Sequence, residues 1–285
     1  PLHPLAETIP DKLAVAYESV ENWGAAANEL ESIAGKNIEK EPELARQALW
    51  HAAELQEKAG DKNASIRLYE KYANSFNEPL ELRAEAQYRL ANLYLETKAF
   101  DKRDFWLKKL VDNYKNQGSG NSKNTDRSLY LAAFAAYELS KPAFEEFEST
   151  ALKLPLKTSL QKKKKTLENA LKYYSTTIEI GITDFTTAAT FKTGELYRIL
   201  AADLKNSERP KNLNELELEQ YQILLEEQAL PFEDTAIEIY EQNTQLVLQK
   251  IYDPWVRKSF AALSRLVPGR YAKNERTEDY VNEIR

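Results

Sequence analysis

A repeat narrows the possible folds of this chain more than any other feature. Trp23, Lys62 and Phe100 hold one equivalent place in three successive stretches, in steps of 39 and 38 residues. Each stretch contains two runs of apolar residues at helical spacing. In the first, Leu13, Ala14, Ala16, Tyr17 and Val20 predict a helix over Asp11–Glu21. Trp23-Gly24 breaks it, and Ala26, Leu30 and Ile33 predict a second helix over Ala25–Ala34 that Gly35 should end. In the second stretch Pro42 opens a helix through Leu49, Trp50, Ala53 and Leu55 to Gly60-Asp61. Its partner carries Ser65, Leu68, Tyr69 and Tyr72 and stops near Pro79. The third has Leu82, Tyr88, Leu90, Ala91, Tyr94 and Leu95 on one helix, then Phe100, Trp106, Leu107, Leu110, Val111 and Tyr114 on the next. A period near 40 made of two helices is the signature of a helical solenoid. A lone hairpin cannot bury its apolar face, so neighbours stack and share one core.

Composition agrees and excludes several classes. The 285 residues include 8 Gly and 11 Pro, too few for a turn-dense all-β protein. Cysteine is absent, which removes disulfides, thiolate nucleophiles and Cys-type metal sites. A net charge of −6 provides no field to gather nucleic acid. No stretch is long and apolar enough to span a bilayer. Pro1–Pro10 lacks both an initiator Met and the basic-then-apolar pattern of a signal peptide, so the chain reads as a mature or excised piece of a longer polypeptide.

The clearest break is the polar, Gly-rich segment 116–126, NQGSGNSKNTD, which predicts a flexible loop. Helices continue beyond it: Arg127–Leu139, a short partner Pro142–Leu152, a long Leu156–Ile180, Thr183–Leu204, Asn214–Ala229 and Pro231–Ile251. Glu233 and Asp234 then fall near the positive end of that last helix. A final helix runs from Asp253-Pro254 to Leu266 and is closed by Pro268-Gly269. The expected organisation is three divergent hairpins over 1–115, a flexible loop over 116–126, and a less regular helical-repeat region with capping helices over 127–285.

Residues 11–115 resemble the tetratricopeptide repeat (TPR) family. Ala14, Ala53 and Ala91 match its small residue where two helices cross. Tyr17 and Tyr94 match its aromatic later in the first helix, with Gln56 the departure. Ala26 and Ser65 match its small residue early in the second, with Arg103 the departure. Gly60-Asp61-Lys62 and Ile66-Arg67-Leu68-Tyr69-Glu70-Lys71 are similar to its turn and second helix, although these repeats are longer than the usual ~34 residues. The resemblance implies an all-α, TPR-like solenoid of antiparallel hairpins forming a right-handed superhelix. It also implies a concave wall of first helices, on which Gln56, Gln87, Tyr88, Arg89 and Asn92 are the candidate partner contacts. In the second half, Ser207-Glu208-Arg209-Pro210, Glu227-Gln228-Ala229-Leu230-Pro231-Phe232, Tyr252-Asp253-Pro254-Trp255-Val256 and Leu266-Val267-Pro268-Gly269-Arg270-Tyr271 resemble the C-terminal part of large bacterial TPR proteins. That likeness implies a periplasmic or cell-envelope setting beside TonB- or Tol-like systems, with the cytoplasm as the alternative.

Few residues suggest chemistry. The histidines are His3 and His51, neither near a second ligand, and a packed or hydrogen-bonded role is favoured for His51. Glu215, Glu217, Glu219, Glu226 and Glu227 alternate with leucines and read as a solvated helix face rather than a glycosidase pair. Lys162, Lys163, Lys164 and Lys165 are candidate anion contacts, though a solvated face is the simpler reading. Gly118-Ser119-Gly120 lacks the Lys-Ser/Thr of a phosphate loop. No catalytic, cofactor-binding or metal-ligating residue is assigned. The sequence thus points to a non-catalytic scaffold that binds a partner protein's peptide or helix. The alternatives are an anionic-ligand module using the lysine run and, last, a helical-toroid enzyme acting on glycans.

Overall fold

The computed structural model of the chain describes residues 9–116 and 124–272. Every regular element among them is helical. The order is α1 Ile9–Ser19, α2 Trp23–Asn37, α3 Pro42–Ala59, α4 Lys62–Ser75, α5 Leu80–Glu96, α6 Phe100–Lys115, α7 Asp126–Ser149, α8 Leu156–Ile180, α9 Thr183–Lys205, α10 Glu215–Gln245, α11 Pro254–Leu266 and a last turn α12 Pro268–Tyr271. A 3-10 turn, Leu246–Gln249, follows α10. Packing is sequential. Consecutive helices pack together from α1 through to α6 and from α8 through to α12, and α9 also reaches α11. The chain forms two compact units, 1–139 and 140–285. Their boundary falls inside α7, rather than at the predicted loop 116–126. Of that loop, residues 117–123, with Gly118-Ser119-Gly120, lie outside the described residues.

In the first unit the repeat holds to the residue. Trp23, Lys62 and Phe100 are the first residues of α2, α4 and α6. Two positions before each, Glu21, Gly60 and Lys98 all adopt the left-handed backbone, with φ of 56°, 77° and 57°. That conformation turns the chain out of one helix and aims it at the next. The intervening position is the N-cap. Asp61 accepts the Ala64 N–H at 2.9 Å and Asn22 accepts the Ala25 N–H at 3.4 Å, whereas Ala99 offers no acceptor. Ala14, Ala53 and Ala91 are at most 2% exposed, so a methyl group stands where helices meet. The Ser65 hydroxyl ties α4 to α3 by donating to the Ala53 carbonyl at 3.3 Å. Arg103, the departure in the third repeat, instead donates to Glu138 of α7 at 2.6 Å.

Four boundaries differ from expectation. Trp23-Gly24 opens α2 instead of separating two helices, because Asn22 provides the cap one residue earlier. Gly35 does not end α2, which runs to Asn37, where the Asn37 side chain donates to the Ile33 carbonyl at 2.9 Å and satisfies a terminal acceptor. Arg127–Leu139 and Pro142–Leu152 are one helix, α7, with Pro142 inside it. Asn214–Ala229 and Pro231–Ile251 also merge, and α10 runs through Pro231. An interior proline costs about 3 kcal/mol in a helix. Buried side chains close to each proline offset it: Ala143, Phe144 and Phe147 on α7, and Ala229, Ala236 and Tyr240 on α10. Glu233 and Asp234 are therefore mid-helix, and α10 starts instead at a reciprocal capping box between Asn214 and Glu217.

The second unit is held by particular fits. Gly194 of α9 lies under the Tyr240 ring, where a Cβ would stand 2.6 Å from Cε1. The buried Tyr240 hydroxyl donates to Glu195. The Asn243 amide donates to the Thr187 carbonyl at 3.1 Å and the Ser259 hydroxyl at 2.9 Å, linking α9, α10 and α11.

Candidate functional site

In the first unit an open pocket of about 250 Å³ lies among α3, α4 and α5. Arg46, Gln47 and Trp50 line it from α3, Tyr72 from α4 and Leu82 from α5. Their spacing puts the three α3 side chains on one helix face. The wall is aromatic. Trp50 meets Tyr69 and Tyr72 edge-on at 5.5 and 5.2 Å, and Tyr72 meets Phe76 at 5.4 Å. Burial pushes the Tyr72 hydroxyl pKa up against the pull of Arg46, so it remains a neutral hydroxyl at pH 7. The Arg46 Nη2 is paired with the Glu43 carboxylate, and the guanidinium also acts on the Tyr72 hydroxyl, with Nη1 buried.

None of the five predicted contacts lines this pocket. Gln56 is 6% and Gln87 1% exposed. The Gln87 carbonyl accepts from the Asn113 amide of α6 at 2.8 Å. Tyr88 packs edge-on to Phe134 of α7 at 5.4 Å. Arg89 is paired with Glu57 at 3.2 Å, and Asn92 is half-buried. Gln56 on α3 and Gln87 on α5 are thus buried between helices, while Tyr88, Arg89 and Asn92 remain half-buried. Arg46, Gln47 and Trp50 were missed because Trp50 and Tyr72 read as core. The usable signal was a crowd of aromatics, Trp50, Tyr69, Tyr72 and Phe76, larger than a single hairpin needs.

The lysine run is also corrected. Lys163 is 0% exposed, ion-paired with Asp203 of α9, with Nζ 4.4 Å from the Phe147 ring centroid. On any helix packed on one side, a run of four residues must point one of them inward. Lys162, Lys164 and Lys165 stay exposed, with Lys164 over Phe232 at 5.7 Å. His51 is hydrogen-bonded, its Nε2 lying 2.9 Å from the Glu18 carboxylate of α1. His3 lies outside the described residues. The acids Glu215, Glu217, Glu219, Glu226 and Glu227 are all exposed.

The segments that carry the C-terminal resemblance act as clamps. Arg209 donates to the Lys205 carbonyl at 2.6 Å, closing the end of α9, and also to Gln222 of α10. Asp253 caps α11 by accepting the Trp255 and Val256 N–H groups at 2.9 and 2.8 Å, and it accepts the Thr187 hydroxyl of α9. The Tyr271 hydroxyl and Arg270 both reach Glu241, at 2.8 and 2.7 Å. These residues join neighbouring helices.

Among the described residues no helix is long and apolar enough to cross a membrane, and no three His, Asp or Glu side chains gather as metal ligands. No family model matches the sequence, and no curated protein proves similar to it.

Proposed function

We propose that the chain is a non-catalytic protein-binding scaffold, a TPR-like superhelix whose Trp50 pocket receives an apolar side chain of an extended partner peptide. One observation carries this reading: an open aromatic wall of Trp50 and Tyr72 beside the Arg46 guanidinium and the exposed Gln47. An apolar side chain of the partner would cover Trp50 and Leu82 while its carboxylate or backbone carbonyl faces the Arg46 charge. The pocket is smaller than the ~300–1,000 Å³ of small-molecule sites, so it suits a side chain better than a cofactor. Tryptophan, tyrosine and arginine are also the residues on which protein interfaces concentrate their energy. The bacterial-envelope setting beside a TonB- or Tol-like system rests on the C-terminal resemblance and belongs to the same proposal.

The test is site-specific photocrosslinking in cells. A crosslinker at Gln47, exposed at the pocket rim, should trap a defined protein. One at Lys108, exposed on α6, should not. Arg46→Ala should abolish the Gln47 product. Identical products from both positions, or an unchanged yield in Arg46→Ala, would reject the reading.

A further inference from the structure

The second unit has its own cleft, of about 370 Å³, open between α9 and α11 with Glu233 of α10 at its edge. Its floor is small and apolar, with Ala202, Ala261 and Ala262. Its charged groups are Arg198, Lys258 and Arg265 against Glu195 and Glu233. Both carboxylates are already committed. Glu195 takes two bonds from Arg198, at 2.9 and 2.8 Å, and one from the Tyr240 hydroxyl. Glu233 is paired with Lys205 at 2.5 Å. Arg198 is thereby fixed in place. Lys258 and Arg265 are exposed and make no ion pair among the described residues, although the Lys258 ammonium is held over Trp255 at 4.0 Å. The cleft therefore presents uncompensated positive charge in a chain whose net charge is −6.

The spacing selects the ligand. Lys258 and Arg265 are two turns apart on α11, so the two side chains are rooted about 10 Å apart along the axis. A peptide in the extended polyproline II conformation rises about 3.1 Å per residue with three residues per turn. Acidic side chains three residues apart then share one face about 9 Å apart and match both cations, while the intervening backbone lies over the alanines. Short dicarboxylates cannot span that distance. We infer that the α9–α11 cleft binds an extended acidic peptide, with Lys258 and Arg265 each receiving a carboxylate. This is a second contact surface and does not rest on the Trp50 pocket.

Fluorescence anisotropy on the whole chain tests it, using a labelled alanine-rich peptide with two glutamates three residues apart. Binding should weaken as salt rises. It should fall at least tenfold in the Lys258→Glu/Arg265→Glu double variant, with helical circular dichroism retained because both side chains are exposed. A glutamine version of the peptide should not bind, and succinate should compete poorly. Arg46→Ala should leave this affinity unchanged, which separates it from the Trp50 reading. No binding, an affinity within twofold in the double variant, or succinate competing as well as unlabelled peptide would each overturn the inference.

Discussion

The two units solve the same problem, stacking helices, in opposite ways. The first repeats a local backbone. Glu21, Gly60 and Lys98 make one left-handed turn, although only one of them is a residue suited to it. Asn22, Asp61 and Ala99 then share one cap position, although only two can cap. The second unit reuses the turn at Gly181, φ 81°, between α8 and α9, and has another left-handed residue at Lys250, φ 64°, between α10 and α11. Otherwise it relies on unique fits: Gly194 under Tyr240, and Lys163 sealed against Asp203 and Phe147. A repeated rule tolerates poor residues because neighbouring repeats hold the turn in place. A unique fit has no such reserve.

That contrast can be broken most sharply at Asp203. Asp203→Ala would strand a buried ammonium and should cost the second unit about 3 kcal/mol, while Lys163→Met should stay within about 1 kcal/mol, because removing both the charge and its desolvation is nearly neutral. Urea unfolding followed at Trp255, the second unit's tryptophan, would measure both; equal losses would contradict the assignment. Next, Gly194→Ala should cost about 2 kcal/mol by overpacking against a ring fixed at both ends. The signal from Trp23, Trp50 and Trp106 of the first unit should not move.

A smaller effect is expected from acid. Burial raises the Glu195 pKa, but the Arg198 and Tyr240 hydrogen bonds outweigh it and hold the carboxyl below its ordinary value. The stability this contributes is complete above the unfolded glutamate pKa and is lost as pH falls through the lower folded one. Glu195→Gln should therefore flatten the acid limb of a urea-midpoint profile for the second unit.

In the first unit the changes should be gentle and can be favourable. Ala99→Asp supplies the missing cap and should add about 1 kcal/mol, the amount Asp61→Ala should remove; thermal melts of both variants would show whether the cap position is equivalent. Last, Lys98→Gly relieves a left-handed strain of ~1–2 kcal/mol but loses ~0.5–1 kcal/mol to backbone entropy, leaving a gain of about half a kilocalorie in the same melts.

Much of the fold was legible because local signals are strong where elements are short and punctuated. The starts of α4 and α6, the span of α8 and the Asp253 cap of α11 follow from caps, glycines and apolar period. Pro142 and Pro231 misled because a proline's cost is local, whereas the packing that outweighs it is not. The site was less legible for a related reason. Gln87 read as surface until α6 covers it, and Trp50 read as core although one side of it is open.

By itself the sequence determined the helices, their pairing at a period near forty and the absence of cysteine chemistry, because these depend on neighbours a few residues apart. Tertiary structure alone decided which side chains are covered. It buried Lys163, set Arg46 beside an open aromatic wall and left Lys258 and Arg265 without an ion pair among the described residues, because burial and charge compensation are set by residues distant in sequence that only packing brings together.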